Sequence, residues 1–130
     1  MWVNKVQSHD KAPYSLAIEA RRSLTLKEQR FYQEVKKKWP ALSWRRYAPV
    51  TIQTHPEHKS TWFAPFLCIA RKLVVVMEER KEFPYTISGR NLDLYARHGY
   101  TVLDFTEDGG EPWDDQMWAD AMSLVKVVLH

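Results

Sequence analysis

The sequence predicts an α/β domain in which a four-stranded mixed sheet is flanked by helices, in the order α-β-β-β-α-β-α. Three features carry that prediction. A capping box from Thr25 to Glu28 opens an amphipathic helix. The unbroken apolar run from Leu73 to Met77 has the character of a strand buried on both faces. Met and Trp residues at helical spacing close the chain. At 130 residues the length suits a single domain, with residues 1–14 as an N-terminal extension.

Ser15 to Arg22 reads as a short helix, and Thr25 then starts a longer one running to about Lys38. Phe31, Val35 and Trp39 form its apolar stripe, Lys36, Lys37 and Lys38 suit the negative end of its dipole, and Pro40 stops it. From Leu42 to Ile52 the residues alternate, with Trp44, Ala48, Val50 and Ile52 on one side and Arg45, Tyr47 and Thr51 on the other. Pro49 places that strand at an edge or a bulge. Residues 53–60 read as a turn, and Trp62 to Ile69 as a second strand that Pro65 interrupts. Leu73 to Met77 is the central strand. Ile87 to His98 reads as a helix with Leu92, Tyr95 and Ala96 inward, and Gly99 takes the left-handed position after it. Tyr100 to Phe105 is a short strand. A last helix begins near Trp113 and turns Met117, Trp118, Ala121, Met122, Val125 and Val128 toward the core.

Composition narrows the classes of function. No stretch approaches the roughly 18 uninterrupted apolar residues of a membrane span, and no export signal is visible, so a soluble cytoplasmic protein with no membrane partner is expected. A lone cysteine, Cys68, allows neither an internal disulfide nor a cysteine-based zinc cluster, and its apolar surroundings suit an inert buried thiol. The net charge of +3 is unevenly spread: residues 1–60 hold twelve Lys and Arg against five Asp and Glu, and residues 61–130 hold seven against eleven. The basic half suits either a phosphate backbone or a solvated surface.

Several polar groupings have ordinary explanations. His55, Glu57 and His58 fit a hairpin tip better than a zinc site, which wants a third or fourth protein ligand. His98 suits a helix C-terminus as a cation. Gly109 and Gly110 stand among Glu107, Asp108 and Glu111, which repel phosphate.

The series ARRSLTLKEQRFYQEVKKKWPALSWRRYAPV, then KLVVVMEE, then RNLDLYARHGYTVLDF, resembles the small restriction-endonuclease-like proteins related to the very-short-patch mismatch-repair endonuclease, which carry the PD-(D/E)XK nuclease core. The most specific pieces are Leu24-Thr25 with Glu28, Arg45-Arg46, and the unit Arg90, Leu94, Gly99-Tyr100, Val102-Leu103 and Phe105. The similarity spans roughly residues 17–129. It implies two acidic ligands at the ends of the second and third strands, holding a divalent ion that activates water for phosphodiester cleavage. On that alignment Pro65 and Val76 occupy the two ligand positions, and neither side chain binds a metal. Glu28 and Glu78 alone match positions where the family places polar active-site residues. Glu79 and Lys81 spell half of the motif, but in a continued strand they lie on the face opposite Glu78.

The resemblance also implies DNA binding along a cleft, with Arg21, Arg22, Lys36, Lys37, Lys38, Arg45, Arg46 and Lys59 as candidate contacts. If the strand is regular, Arg45 and Arg46 point to opposite faces, so that only one meets a ligand. Three functions follow as expectations. One is a degenerate nuclease that binds DNA, or a DNA-processing complex, without cutting and without a cofactor. Another is an active Mg²⁺-dependent endonuclease with a displaced site at Glu28, Glu78, Glu79 and Lys81. The third is a protein-interaction module, an inhibitor, adaptor or homodimer, using the acidic segment from Glu107 to Asp120 and exposed Trp2 and Trp39.

Overall fold

The computed structural model describes residues 14–83, 92–106 and 112–130. Residues 14–22 form helix α1, followed by α2 (Leu26–Lys38), β1 (Trp44–His55), β2 (His58–Cys68), β3 (Leu73–Val76), α3 (Leu92–Arg97), β4 (Thr101–Asp104) and α4 (Asp115–Leu129). The sheet order is β1-β2-β3-β4, with β1, β2 and β3 successively antiparallel and β4 parallel to β3. This is the predicted α/β arrangement, a mixed four-stranded sheet flanked by helices. Among the described residues no helix is long and apolar enough to cross a membrane.

β3 explains the apolar run at its centre. Leu73 and Val75 join a core with Phe31 and Val35 of α2 and Trp118, Met122 and Val125 of α4. Val74 and Val76 join a second core with Ala64, Leu67 and Tyr95 of α3. With a covered surface on each side, every residue of the strand is apolar. A third cluster seats Ala17 and Ala20 of α1 against Tyr47, Phe63 and Phe83.

The helix ends follow local chemistry. Thr25 Oγ1 accepts from the Glu28 N–H at 3.1 Å while Glu28 Oε1 accepts from the Thr25 N–H at 3.0 Å, a complete capping box. Asp114 caps α4 by accepting from the Met117 N–H at 2.8 Å. Gly99 has φ +82°, the left-handed conformation predicted for it.

The hairpin is longer than the alternation suggests. β1 runs on to His55, β2 starts at His58 rather than Trp62, and only Pro56 and Glu57 turn between them. Its tip is exposed and carries polar side chains, which read as a loop because hydrophobic patterning detects only strands that bury a face.

A larger correction concerns which side of β1 faces which core. Trp44 packs with the α2 and α4 cluster, whereas Ala48, Val50 and Ile52 pack with Tyr95 on the other side. The cause lies at Tyr47. The ladder pairs Arg46 with Phe66 and Ala48 with Ala64 but leaves Tyr47 and Pro65 unpaired between them, and Tyr47 has φ +46°. Pro65 has no N–H to donate, and the irregularity at Tyr47 shifts the two-residue period by one.

Smaller differences follow the same logic of packing. Ala96 is exposed, Met117 is 38% exposed, and Leu129 is buried in place of the partly buried Val128. Trp39 is half-buried against the core rather than exposed. The expected start of the third helix at residues 87–91, Arg90, Trp2, most of the N-terminal extension and residues 107–111 lie outside the described residues, as do the side chains of Leu92 and Leu94.

Candidate functional site

Glu28 is fully buried although it carries a carboxylate. Three groups from separate elements meet it. The Thr25 N–H and Arg80 Nη1 each donate to Oε1 at 3.0 Å, and the Tyr47 hydroxyl donates to Oε2 at 2.5 Å. Burying a charge is tolerated only where it is paired and hydrogen-bonded, and this carboxylate is both. Arg80, itself buried, donates further to Ser23 Oγ at 3.1 Å and to Glu82 Oε1 at 3.1 Å, and its guanidinium lies 4.5 Å from the Phe83 ring centroid. Burial, then the neighbouring Glu28 carboxylate, pushes the Tyr47 hydroxyl far above the ordinary tyrosine range, so it serves as a donor.

The residue that the resemblance matches to a polar active-site position is therefore held by a fixed guanidinium. Both carboxylate oxygens have partners, and a divalent ion at Glu28 has to displace Arg80 and Tyr47. Neither Tyr47 nor Arg80 stood out in the sequence. Tyr47 read as an outward residue of a regular strand, and Arg80 as one charge in a charged strand end.

The other expected catalytic positions disperse. Val76 ends β3, and the antiparallel register that pairs Phe66 with Val75 carries Pro65 opposite Val76. Both are buried. Beyond Val76 the chain leaves the sheet, so Glu78, Glu79 and Lys81 do not alternate across a strand as expected. The sheet ends there because β4 pairs with β3 only as far as Asp104 opposite Val76. Glu78 is half-buried and lines a cavity beside the start of α2, while Glu79 and Lys81 are exposed. Among the described residues no group of three or more His, Cys, Asp or Glu is arranged to hold a metal ion.

Several basic candidates do converge. A groove of about 280 Å³ runs along the open edge of β1, lined by Arg21, Tyr32, Trp44, Arg45, Arg46 and Pro49. Two cations lie against the Tyr32 ring. Arg46 lies 4.8 Å and Lys36 4.9 Å from the ring centroid, both within cation–π range. Arg21 reaches across from α1, donating from Nε to the Arg46 carbonyl at 3.0 Å and from Nη2 to the Tyr47 carbonyl at 3.1 Å. Consecutive carbonyls of a regular strand point opposite ways, and here the irregularity at Tyr47 brings both to one guanidinium. Arg45 and Arg46 both line the groove, contrary to the expectation that one alone faces a ligand, because a groove along a strand edge is bordered from both faces.

The remaining candidates lie apart. Arg22, Lys37 and Lys38 are exposed on the outer surfaces of α1 and α2. Lys59 pairs with Gln53 near the hairpin tip, seven residues from Arg46 and so roughly 20 Å away along the strand. At that tip the exposed His55 and His58 rings are 5.5 Å apart. His98 Nε2 accepts from the Gln53 N–H at 3.0 Å, tying β1 to the end of α3. Cys68 is fully buried, and burial pushes its thiol upward, as expected of an inert position. In the acidic segment Asp114 caps α4, while Asp115 lies 3.7 Å from Arg30 and Asp120 accepts from Gln116 at 2.8 Å.

Comparison of the chain with protein-family models, with curated proteins and with solved structures finds no match.

Proposed function

We propose that this is a restriction-endonuclease-like domain that binds DNA along the open edge of β1 and does not cut it. The observation that carries the reading is the Glu28–Arg80 pair. A guanidinium occupies the carboxylate that the resemblance makes a polar active-site residue, and the two expected ligand positions hold Pro65 and Val76. The order of helices α1 and α2, three antiparallel strands, α3, a parallel fourth strand and α4 supports the restriction-endonuclease-like assignment. The groove supports the DNA reading: Arg45 and Arg46 border it with Tyr32, so cations and an aromatic side chain line one channel, and Lys36 lies against the same ring beside it.

The test is a titration with duplex DNA at about 50 and 200 mM salt, with and without Mg²⁺. Three phosphates neutralised by Lys36, Arg45 and Arg46 give a logarithmic salt slope of about −2.7, a loss of roughly 40-fold across that range. Mg²⁺ leaves plasmid DNA intact. Plasmid cleavage that Glu28→Gln or Glu78→Ala abolishes would refute the non-cutting half, and absence of binding at low salt the other.

A further inference from the structure

A second cavity, of about 350 Å³, lies where the first turns of α2 meet the entry to α4. Leu26, Lys27 and Arg30 line it from α2, Trp113 and Trp118 from the other side, and Glu78 from the chain just beyond β3. Its size is near the lower end of the roughly 300–1,000 Å³ typical of small-molecule sites, enough for one nucleotide and too small for a polymer.

Three features of the lining restrict what fits. The two indoles meet edge to face, with centroids 4.8 Å apart, and give the cavity rigid aromatic walls. Each carries a cation on one face: Lys27 Nζ lies 5.0 Å from the Trp113 ring, and the Arg30 guanidinium 4.7 Å from the Trp118 ring. The Arg30 guanidinium and the Glu78 carboxylate give the lining charge of both signs. Glu78 is half-buried and, among the described residues, has neither an ion pair nor a hydrogen bond. A partly desolvated carboxylate in that position seeks N–H or O–H donors. A planar group that presents N–H donors along one edge suits the indole walls and the carboxylate together. A negative group finds a cation at the rim, where Arg30 is partly exposed and, among the described residues, is paired with Asp115 at 3.7 Å.

We infer that this cavity is a guanine-nucleotide site, in which Glu78 accepts from the N1–H and N2–H edge of the base, the Trp113 and Trp118 indoles wall its ring, and Arg30 meets the phosphate. Adenine is the discriminating comparison, because it flanks its single amino donor with ring-nitrogen acceptors that face the carboxylate unfavourably. No covalent step is involved. The inference does not rest on the DNA-binding reading, since the groove at β1 and this cavity share no residue.

The experiment is isothermal titration of the full chain with GMP, AMP and inorganic phosphate. GMP should bind saturably with Kd below about 1 mM, AMP at least tenfold more weakly, and inorganic phosphate without measurable heat at the same concentrations. Glu78→Gln should weaken GMP at least tenfold and remove the preference over AMP. Far-UV circular dichroism identical to the unsubstituted protein keeps loss of fold out of the comparison. Arg45→Glu, which tests the groove, should leave GMP binding unchanged. Lack of saturable GMP binding, equal affinity for GMP and AMP, or a Glu78→Gln protein that binds GMP as before each overturns the assignment.

Discussion

Glu28 and Arg80 are separated by 52 positions in the chain and meet at 3.0 Å in the interior, with side-chain exposures of 0% and 7%. One belongs to the capping turn of α2 and the other to the segment leaving the sheet after β3. The pair fixes where that segment returns against α1 and α2: removing Arg80 takes the guanidinium from the buried Glu28 carboxylate, and removing Glu28 leaves Arg80 with the exposed Glu82 carboxylate. Glu28→Gln, which keeps the capping geometry, is expected to cost about 3 kcal/mol. Combining it with Arg80→Met should recover part of that loss, because the guanidinium that has lost its buried partner is then gone. Urea denaturation of the two single variants and the double variant measures the coupling.

Tyr47 gives the protein an alkaline limit. Burial, then Glu28, raises its pKa above the ordinary value, and burial, then Tyr100, does the same for Tyr95. Above about pH 10 the unfolded chain ionises these hydroxyls while the folded protein keeps them protonated. The unfolded state then binds fewer protons, so stability falls as pH rises, by about 1.4 kcal/mol per pH unit for each tyrosine, until the folded pKa is reached. Below pH 10 this contribution is fully present. Tyr47→Phe should cost about 1–3 kcal/mol at neutral pH by leaving Glu28 Oε2 without its donor. It should also make the decline between about pH 9 and 11 shallower by one tyrosine's share. Urea midpoints across that range report both effects.

In the groove, Arg45→Ala should reduce the logarithmic salt slope of DNA binding by about 0.9, the value of one phosphate contact, while Lys59→Ala should leave it unchanged. Lys59 is the informative control, since its charge is the same and only its place near the hairpin tip differs. An equal effect from the two substitutions would indicate a diffuse basic surface in place of a groove.

Gly99 isolates a backbone effect. A Cβ there would lie 3.7 Å from Lys72 Nζ, an ordinary contact, so space is not limiting. Its φ of +82° is the constraint, and Gly99→Ala is expected to cost about 1–2 kcal/mol in thermal unfolding without altering the groove.

Much of the architecture was legible in the chain because it depends on local rules. Thr25 and Glu28 satisfy each other's backbone within one helical turn, Gly99 supplies a conformation other residues resist, and the valines of β3 are apolar on both sides because both sides are covered. The exposed hairpin tip was not legible, since a strand that buries neither face leaves no hydrophobic period to read. Nor was the change of side at Tyr47, which depends on Pro65 lying opposite it on another strand.

The candidate site divides the same way. The uneven charge of the chain marked the basic half as the region to search, and the capping box singled out the turn that holds Thr25 and Glu28. Only the tertiary structure decided that Glu28 pairs with Arg80 and Tyr47, that Arg45 and Arg46 border one groove with Tyr32, and that Lys59 lies apart from them. The physical reason is range. Caps, turns and periodic burial act within a few residues, whereas the partner of a buried charge is set by which distant segments the sheet brings to the same few ångströms.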